Sequence, residues 1–144
     1  YPKICPAVIV GVTKGDEILL TRYAGRSYKK YALIAGFAEV GETIEETVHR
    51  EVMEEVGLKV KNLHYYKSQP WSASSTLLMG FFCEADGDTA IRLDKSELAE
   101  ARWCPRAEVP EWEDVSLTME MMQVFRTQGI LEFNCGTSGD TSAV

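Results

Sequence analysis

The sequence predicts an α+β fold, a mixed β-sheet with helices packed against it, and three observations support this prediction. The apolar, β-branched run at residues 6–12 is typical of a buried strand. Residues 43–57 carry the start signal, apolar spacing and stop signal of an amphipathic helix. A second helix is expected at about 116–128, and hairpins and single strands surround the two helices. This mixture of elements is typical of the α+β class.

The first third of the chain is predicted to supply a hairpin and a loop. Turn-forming residues at 14–17 follow the first strand, and residues 18–21 are expected to form the returning strand. Residues 22–31 form a polar loop rich in Arg, Lys and Tyr. A short apolar segment at 32–34 then leads into a loop bounded by glycines, at 36–41.

The helix after this loop has the clearest boundaries. Thr43 with Glu46 three residues later forms a capping box, in which each side chain satisfies a free amide of the first turn. Gly57 is predicted to end the helix as its C-terminal cap. Apolar residues at i+4 spacing give the helix one buried face: Ile44, Val48, Val52 and Val56.

The remaining chain is predicted to complete the sheet and add the second helix. Strands are expected near 59–66, 76–84 and 100–104. One face of the second helix is apolar and carries Leu117, Met121, Val124 and Phe125. We therefore expect one domain over residues 1–132, followed by a small, polar and disordered tail at 133–144.

Composition narrows the classes of function. The chain has 144 residues, 45% of them apolar, which favours one soluble domain with its own core. A net charge of −7 argues against a broad nucleic-acid or membrane surface, and makes RNA a less attractive partner. No membrane span or signal peptide is read from the sequence, so cytoplasm is the expected compartment. The four cysteines lack metal-site spacing and are expected to be small buried residues.

The first helix carries three glutamates on one side. Glu51, Glu54 and Glu55 stand at i, i+3 and i+4, where like charges repel each other. A hard divalent cation such as Mg²⁺ reverses the sign of that interaction because it prefers oxygen ligands. Arg50 lies one turn before Glu54 and is placed to orient it. The alternative interpretation of the same charges is a solvated acidic helix face.

The spacing around these glutamates decides between the two interpretations. A motif with seven fixed residues at set spacings matches a chain of this length by accident with a probability on the order of one in a million. The sequence reads Gly36-x5-Glu42-x7-Arg50-Glu51-Val52-x-Glu54-Glu55-x-Gly57-Leu58 and so resembles the complete Nudix box.

The resemblance implies a Nudix fold, with the mixed sheet sandwiched between helices, and hydrolysis of a nucleoside diphosphate with Mg²⁺ or Mn²⁺. By this likeness Glu51, Glu54 and Glu55 are metal ligands, with Arg50 part of the catalytic set. Either Glu54 or Glu55 is the general base, and the sequence does not choose between them.

A second motif points to one branch of the family. Ser68-Gln69-Pro70-Trp71 resembles the array S-Q-P-W-P-F-P-x-S of NADH pyrophosphatases, and the likeness covers about residues 1–104. It implies hydrolysis of NADH or NAD⁺ to nicotinamide mononucleotide and AMP by a homodimer. Glu97 falls where the family places a further metal-binding carboxylate. The residues implied in substrate binding are Phe37, Gln69, Trp71, Ser75 and, across a dimer interface, Tyr1.

The sequence also departs from this array, which leaves other substrates open. Residues 72–76 read Ser-Ala-Ser-Ser-Thr in place of P-F-P-x-S, and either Ser75 or Thr76 stands for the closing serine. The loop is expected to be more flexible and less apolar as a result. The alternatives are a Nudix hydrolase for ADP-ribose, FAD or a dinucleoside polyphosphate, and a non-catalytic module that senses a nucleotide. For Trp71 the alternative role is plain loop packing.

Overall fold

The computed structural model describes residues 3–23, 31–71, 74–93, 98–110 and 116–139. Within these residues, six strands and two α-helices follow one another, with a 3-10 turn at Arg106–Glu108 before the second helix. Their bounds are β1 Cys5–Lys14, β2 Glu17–Tyr23, β3 Ile34–Phe37, α1 Ile44–Val56, β4 Val60–Trp71, β5 Thr76–Ala85, β6 Leu98–Pro105 and α2 Leu117–Gly139.

All six strands form a single mixed sheet. The strand order is β4-β5-β1-β2-β6, and β3 pairs with β1 alongside β2. The β1–β5 pair is parallel, over a register that runs from Cys5↔Thr76 to Thr13↔Glu84. The other pairs among these strands are antiparallel. The predicted hairpin is the β1–β2 pair, and the α+β class is confirmed.

The sheet separates two apolar cores, one on each face. Alternate residues of β1 point to opposite faces, as strand geometry requires: Val8 and Val10 belong to the core under α1. Ile9, between them, belongs to the core under α2, which also contains Met121 and Phe125. The helices therefore cover opposite faces, and the predicted layer order of helix, sheet and helix is confirmed.

Helix α1 begins and ends as the sequence predicts. The Thr43 side chain accepts from the Glu46 amide at 3.1 Å, and the Glu46 side chain accepts from the Thr43 amide at 3.1 Å. Gly57 ends the helix with φ at +69°, in the left-handed region that glycine enters without steric cost. Val48, Val52 and Val56 are fully buried, and Ile44 packs partly buried beside them.

Strand β4 and helix α2 extend beyond their predicted ends. Strand β4 runs to Trp71, so residues 68–71 belong to the sheet, and Trp71 lies at a strand end instead of in a loop. Helix α2 contains a break at Gly129, where φ is +69°, close to the predicted end at 128. Helical backbone resumes and continues to Gly139, within the segment predicted to be disordered; no proline interrupts residues 130–139. Residues 140–144 of that predicted tail lie outside the described residues.

Two further expectations concern cysteines and membranes. Cys83 and Cys104 are buried as predicted, and burial raises the pKa of the Cys83 thiol to about 12. Cys5 is exposed, contrary to the expectation, because it begins β1 at the rim of the sheet. Within the described part of the chain, none of the helices has the length and apolar character to span a bilayer.

Candidate active site

Arg50 organises the loop before α1 by binding Glu42 with two hydrogen bonds. Its Nε donates to Glu42 Oε2 at 2.6 Å, and its Nη2 donates to Glu42 Oε1 at 2.9 Å. Such a two-point contact fixes the relative orientation of guanidinium and carboxylate. Thr47 adds a hydrogen bond from its hydroxyl to Glu42 Oε1 at 2.7 Å. The loop that carries Glu42 is therefore tied to the middle of the helix.

The same guanidinium contacts three further carboxylates. Arg50 Nη1 donates to Glu51 at 2.9 Å and to Glu54 at 3.2 Å, and lies 3.8 Å from Glu39. One positive charge thus faces four negative charges within 4.0 Å, counting Glu42. The excess of negative charge is concentrated on one side of α1, as the sequence predicts.

This network changes the acidity of its members. Hydrogen bonds from Arg50 and Thr47 lower the pKa of Glu42 from 4.5 to about 2. The hydrogen bond to Glu42 raises the pKa of Arg50 above its ordinary value. Both groups are therefore charged throughout the physiological pH range.

Gly36 makes room for the Glu51 carboxylate. A Cβ at position 36 would overlap the carboxyl carbon and both carboxyl oxygens of Glu51. The Glu51 side chain is only 12% exposed, held between the β3 backbone and Arg50. The first glycine of the box therefore leaves space that a predicted metal ligand, Glu51, occupies.

The three predicted metal ligands differ in their surroundings. The Glu54 side chain is 57% exposed, whereas Glu55 is buried at 4% and its Oε2 is shut off from solvent. Among the described residues, no three His, Cys, Asp or Glu side chains converge as a ready metal site. The donor set nevertheless fits a hard divalent cation, because it consists of carboxylate oxygens and has more negative charge than Arg50 offsets.

A cavity of about 300 Å³ opens on the face of the sheet that α2 covers. Three of the predicted substrate-binding residues, Phe37, Gln69 and Trp71, contribute to its wall. Phe37 and Trp71 expose 57% and 49% of their surface, which is unusual for such large aromatic residues and leaves their rings accessible to a ligand. The rest of the wall is formed by Ile9, Ser74, Thr76, Leu78, Ser116, Leu117 and Thr118.

Phe37 connects the cavity to the carboxylates. Its side chain lines the cavity, and its backbone carbonyl accepts a hydrogen bond from Arg50 Nη2 at 2.9 Å. The chain of β3 therefore carries Gly36 against Glu51 and, one residue later, the aromatic wall of the cavity. The cavity and α1 lie on opposite faces of the sheet, and Phe37 at the end of β3 contributes to both regions.

The other predicted site residues have different outcomes. Ser75 lies outside the cavity that Phe37 and Trp71 line, and it lines another of about 190 Å³ on the other side of Trp71. Its φ of +53° marks a tight turn between β4 and β5, and this turn directs Ser75 away while Ser74 and Thr76 face the cavity lined by Phe37. Tyr1 and Glu97 lie outside the described residues.

The first turn of α2 is a part of the cavity wall that the sequence analysis did not identify. Ser116, Leu117 and Thr118 stand more than forty residues beyond the array and belong to no recognised motif. One local signal was available, since a serine before an apolar helix is a common N-cap. The Ser116 hydroxyl does accept from the Met119 amide, at 3.3 Å.

Comparison with known proteins agrees with the motifs. The sequence profile of the NUDIX domain matches residues 3–125. The NAD-capped RNA hydrolase NudC of Mannheimia succiniciproducens is 43% identical over 120 residues, covering 77% of this chain and 45% of the relative. The protein of the same name from Erwinia tasmaniensis is 48% identical over 103 residues, covering 72% and 39%.

A solved structure supports the fold. The crystal structure of a NUDIX hydrolase from Nitrosomonas europaea superposes with a TM-score of 0.75 at 22% identity, covering 88% of this chain and 72% of that one. The chain spans less than half the length of the curated relatives named above. The profile match over most of the chain, the relatives and the intact box lead to one conclusion: this chain belongs to the Nudix hydrolase family.

Proposed function

We propose that the chain hydrolyses the diphosphate linkage of NADH or NAD⁺, releasing nicotinamide mononucleotide and AMP. The observation that carries this proposal is the position of Phe37 between the cavity and the carboxylate network. Its ring lines the cavity beside Gln69 and Trp71, and its carbonyl is bound to Arg50. This combination would suit a dinucleotide, because an aromatic-walled pocket can take a base while the acidic cluster linked to it through Phe37 could hold a divalent cation for the diphosphate.

The size of the cavity supports binding of one half of the dinucleotide. About 300 Å³ is at the lower end of the range for ligand pockets, which runs from roughly 300 to 1,000 Å³. A volume at this end of the range suits one nucleoside better than a complete dinucleotide. The diphosphate would then extend past Phe37 towards Glu51 and Glu54, where the predicted ligands lie.

The residues of the chain have separate roles in the proposed reaction. Water adds across the P–O–P bridge: its oxygen bonds to one phosphorus, and the bridging oxygen leaves with the other nucleotide. Glu54 or Glu55 accepts the proton that the water loses. Arg50 and Gly36 hold Glu51 in place. A divalent cation, Mg²⁺ or Mn²⁺, held by Glu51, Glu54 and Glu55 would offset the charge of the diphosphate and make the water more acidic.

The relatives extend the range of substrates to be tested. Both curated relatives are named NAD-capped RNA hydrolases. An NAD cap presents the same diphosphate linkage, so cleavage there would leave an RNA with a 5′ monophosphate. The net charge of −7 works against RNA affinity, and free NADH is therefore the first substrate to test.

The test is product analysis with purified protein. NADH, NAD⁺ and NAD-capped RNA are incubated with Mg²⁺ or Mn²⁺, with a metal-only control and a control containing a chelator. We expect AMP and the reduced or oxidised mononucleotide, or 5′-monophosphate RNA, in the presence of metal. Absence of AMP above the metal-only control would refute the proposal.

Alternative substrates are separated in the same assay. ADP-ribose, FAD and a dinucleoside polyphosphate are compared with NADH by kcat/KM, the measure of specificity. A higher value for one of these would reassign the substrate within the family. Nucleotide binding without turnover of any of them would support the sensing module instead. The homodimer, which the family likeness implies, and the cytoplasmic location, which is expected from the sequence, also remain proposals. Light scattering tests the first.

A further inference from the structure

The second half of β4 and the first turn of α2 are joined by side-chain hydrogen bonds. Tyr66 donates from its hydroxyl to Glu120 Oε2 at 2.8 Å, and Lys67 donates from Nζ to Glu120 Oε1 at 2.7 Å. Both oxygens of one carboxylate are therefore bound to one strand. Tyr66 is itself fixed, because its ring packs edge-to-face on Phe82 with centroids 5.7 Å apart. We call these residues, together with Gln69 and Leu117, the β4–α2 clamp.

Gln69 makes the second connection between strand and helix. Its side-chain oxygen accepts from the backbone amide of Leu117 at 3.0 Å. That amide belongs to the first helical residue of α2, so it lacks a carbonyl partner inside the helix. A residue predicted to contact substrate therefore also caps the helix across the cavity. This hydrogen bond orients the Gln69 side chain with its amide oxygen towards α2.

The clamp lies beside the substrate cavity and joins its two walls. Gln69 and Trp71 line the cavity from β4, while Ser116, Leu117 and Thr118 line it from α2. The Lys67–Glu120 pair alone would contribute little, since the two side chains are 51% and 40% exposed. The partly buried Tyr66 hydroxyl and the Gln69 side chain add two hydrogen bonds to this pair. Because hydrogen bonds require alignment, they restrict the orientation of α2 relative to β4.

We propose that Glu120 is a positioning residue for substrate binding: by holding the first turn of α2 against β4, it sets the width of the cavity. This inference rests on the proposed function only for its kinetic test. Burial and the Glu120 carboxylate raise the pKa of Tyr66 to about 12, and Lys67 lowers the pKa of Glu120. The donor and acceptor states of the clamp therefore persist through the neutral pH range.

The kinetic test compares Glu120→Ala, Glu120→Gln and Tyr66→Phe with the parent chain. In the proposed mode of binding the cavity would contact the nucleoside and not the reacting phosphorus, so its contacts would contribute equally to ground state and transition state. Loss of such binding raises KM and leaves kcat unchanged. We expect KM for NADH to rise about tenfold in Glu120→Ala, with kcat within about twofold. Glu120→Gln should recover part of the loss, because its amide oxygen still accepts one hydrogen bond.

A matched control separates this role from general surface electrostatics. Glu17→Ala removes a carboxylate from the exposed Lys14–Glu17 pair at 3.6 Å, which is remote from the cavity. Its KM should stay at the parent value. An unchanged KM in Glu120→Ala would overturn the proposal, and so would a fall in thermal stability without a change in KM.

Amide hydrogen exchange keeps the inference independent of activity. In Glu120→Ala the amide of Leu117 should exchange faster than in the parent chain, because the first turn of α2 is less firmly held. If the parent protein does not hydrolyse NADH, the proposed function fails, and the exchange rate alone decides on the clamp. Faster exchange at Leu117 would then support it, and an unchanged rate would overturn it.

Discussion

Replacing Gly36 by alanine tests whether the position of the Glu51 carboxylate limits the reaction. Gly36 lies on β3 with a backbone conformation outside the left-handed region, so alanine introduces no backbone strain. The added methyl group would instead occupy the space of the Glu51 carboxylate. The carboxylate must move by more than about 1 Å to reach an ordinary van der Waals distance.

A displacement of this size has a large expected effect on turnover and a small one on folding. A misplacement of about 1 Å at a catalytic group can reduce the rate by about a hundredfold. We therefore expect kcat for NADH to fall by about that factor in Gly36→Ala, and the affinity for Mn²⁺, measured by calorimetry, to weaken. The circular-dichroism spectrum should remain that of the parent chain, because Gly36 contributes no side chain to either core.

A double variant makes the steric explanation refutable. Glu51→Asp shortens the side chain by one methylene and withdraws the carboxylate from position 36. The combined Gly36→Ala/Glu51→Asp variant should therefore be more active than the product of the two single losses predicts. Parent-level kcat in Gly36→Ala, or strictly multiplicative losses in the double variant, would refute the explanation.

Three further predictions concern single residues. Glu55→Gln, which preserves the shape of a buried side chain, should keep the fold and lower turnover at least about a hundredfold; near-full activity would remove Glu55 from the mechanism. Because Arg50 lowers the pKa of Glu42 to about 2, ionised Glu42 stabilises the fold above pH 4.5. That stabilisation is lost as the pH falls from 4.5 towards 2, so urea unfolding of Glu42→Gln should depend less on pH in this window. Gly57→Ala and Gly15→Ala place alanine at φ of +69° and +57°, which costs about 1 kcal/mol each. A new Cβ meets Arg92 Cβ at 3.0 Å only at position 57, so urea unfolding should show the larger loss there, and equal losses would contradict this packing effect.

The sequence was sufficient to predict the elements whose signals are local. The capping box and Gly57 mark both ends of α1 because the capping interactions lie within a few residues of each other. The continuous apolar run of β1 and the valine spacing of α1 likewise indicate which side chains are buried. The acidic side of α1 followed from the same helical geometry.

Features that depend on contacts between distant segments could not be read in the same way. The strand character of residues 68–71 comes from pairing with β5, and Pro70 is tolerated there because β4 is an edge strand. The contribution of Ser116 and Thr118 to the cavity depends on where α2 crosses the sheet. The cap that Gln69 provides for Leu117 spans 48 residues, beyond any local pattern. The turn at Ser75 directs that residue away from the cavity, although motif position alone made it a candidate.

The parallel pairing of β1 with β5 has a consequence for how the molecule reaches its native state. Segments about seventy positions apart must meet before this ladder can close, and the Thr13 hydroxyl bonded to the Cys83 carbonyl at 2.9 Å spans the same gap. Closing so large a loop costs chain entropy before the contacts compensate for it, which slows folding relative to proteins with local pairing. Helix α1 lies inside that loop and shares its apolar core with residues of both strands, so this core is complete only after the two distant halves of the ladder have joined.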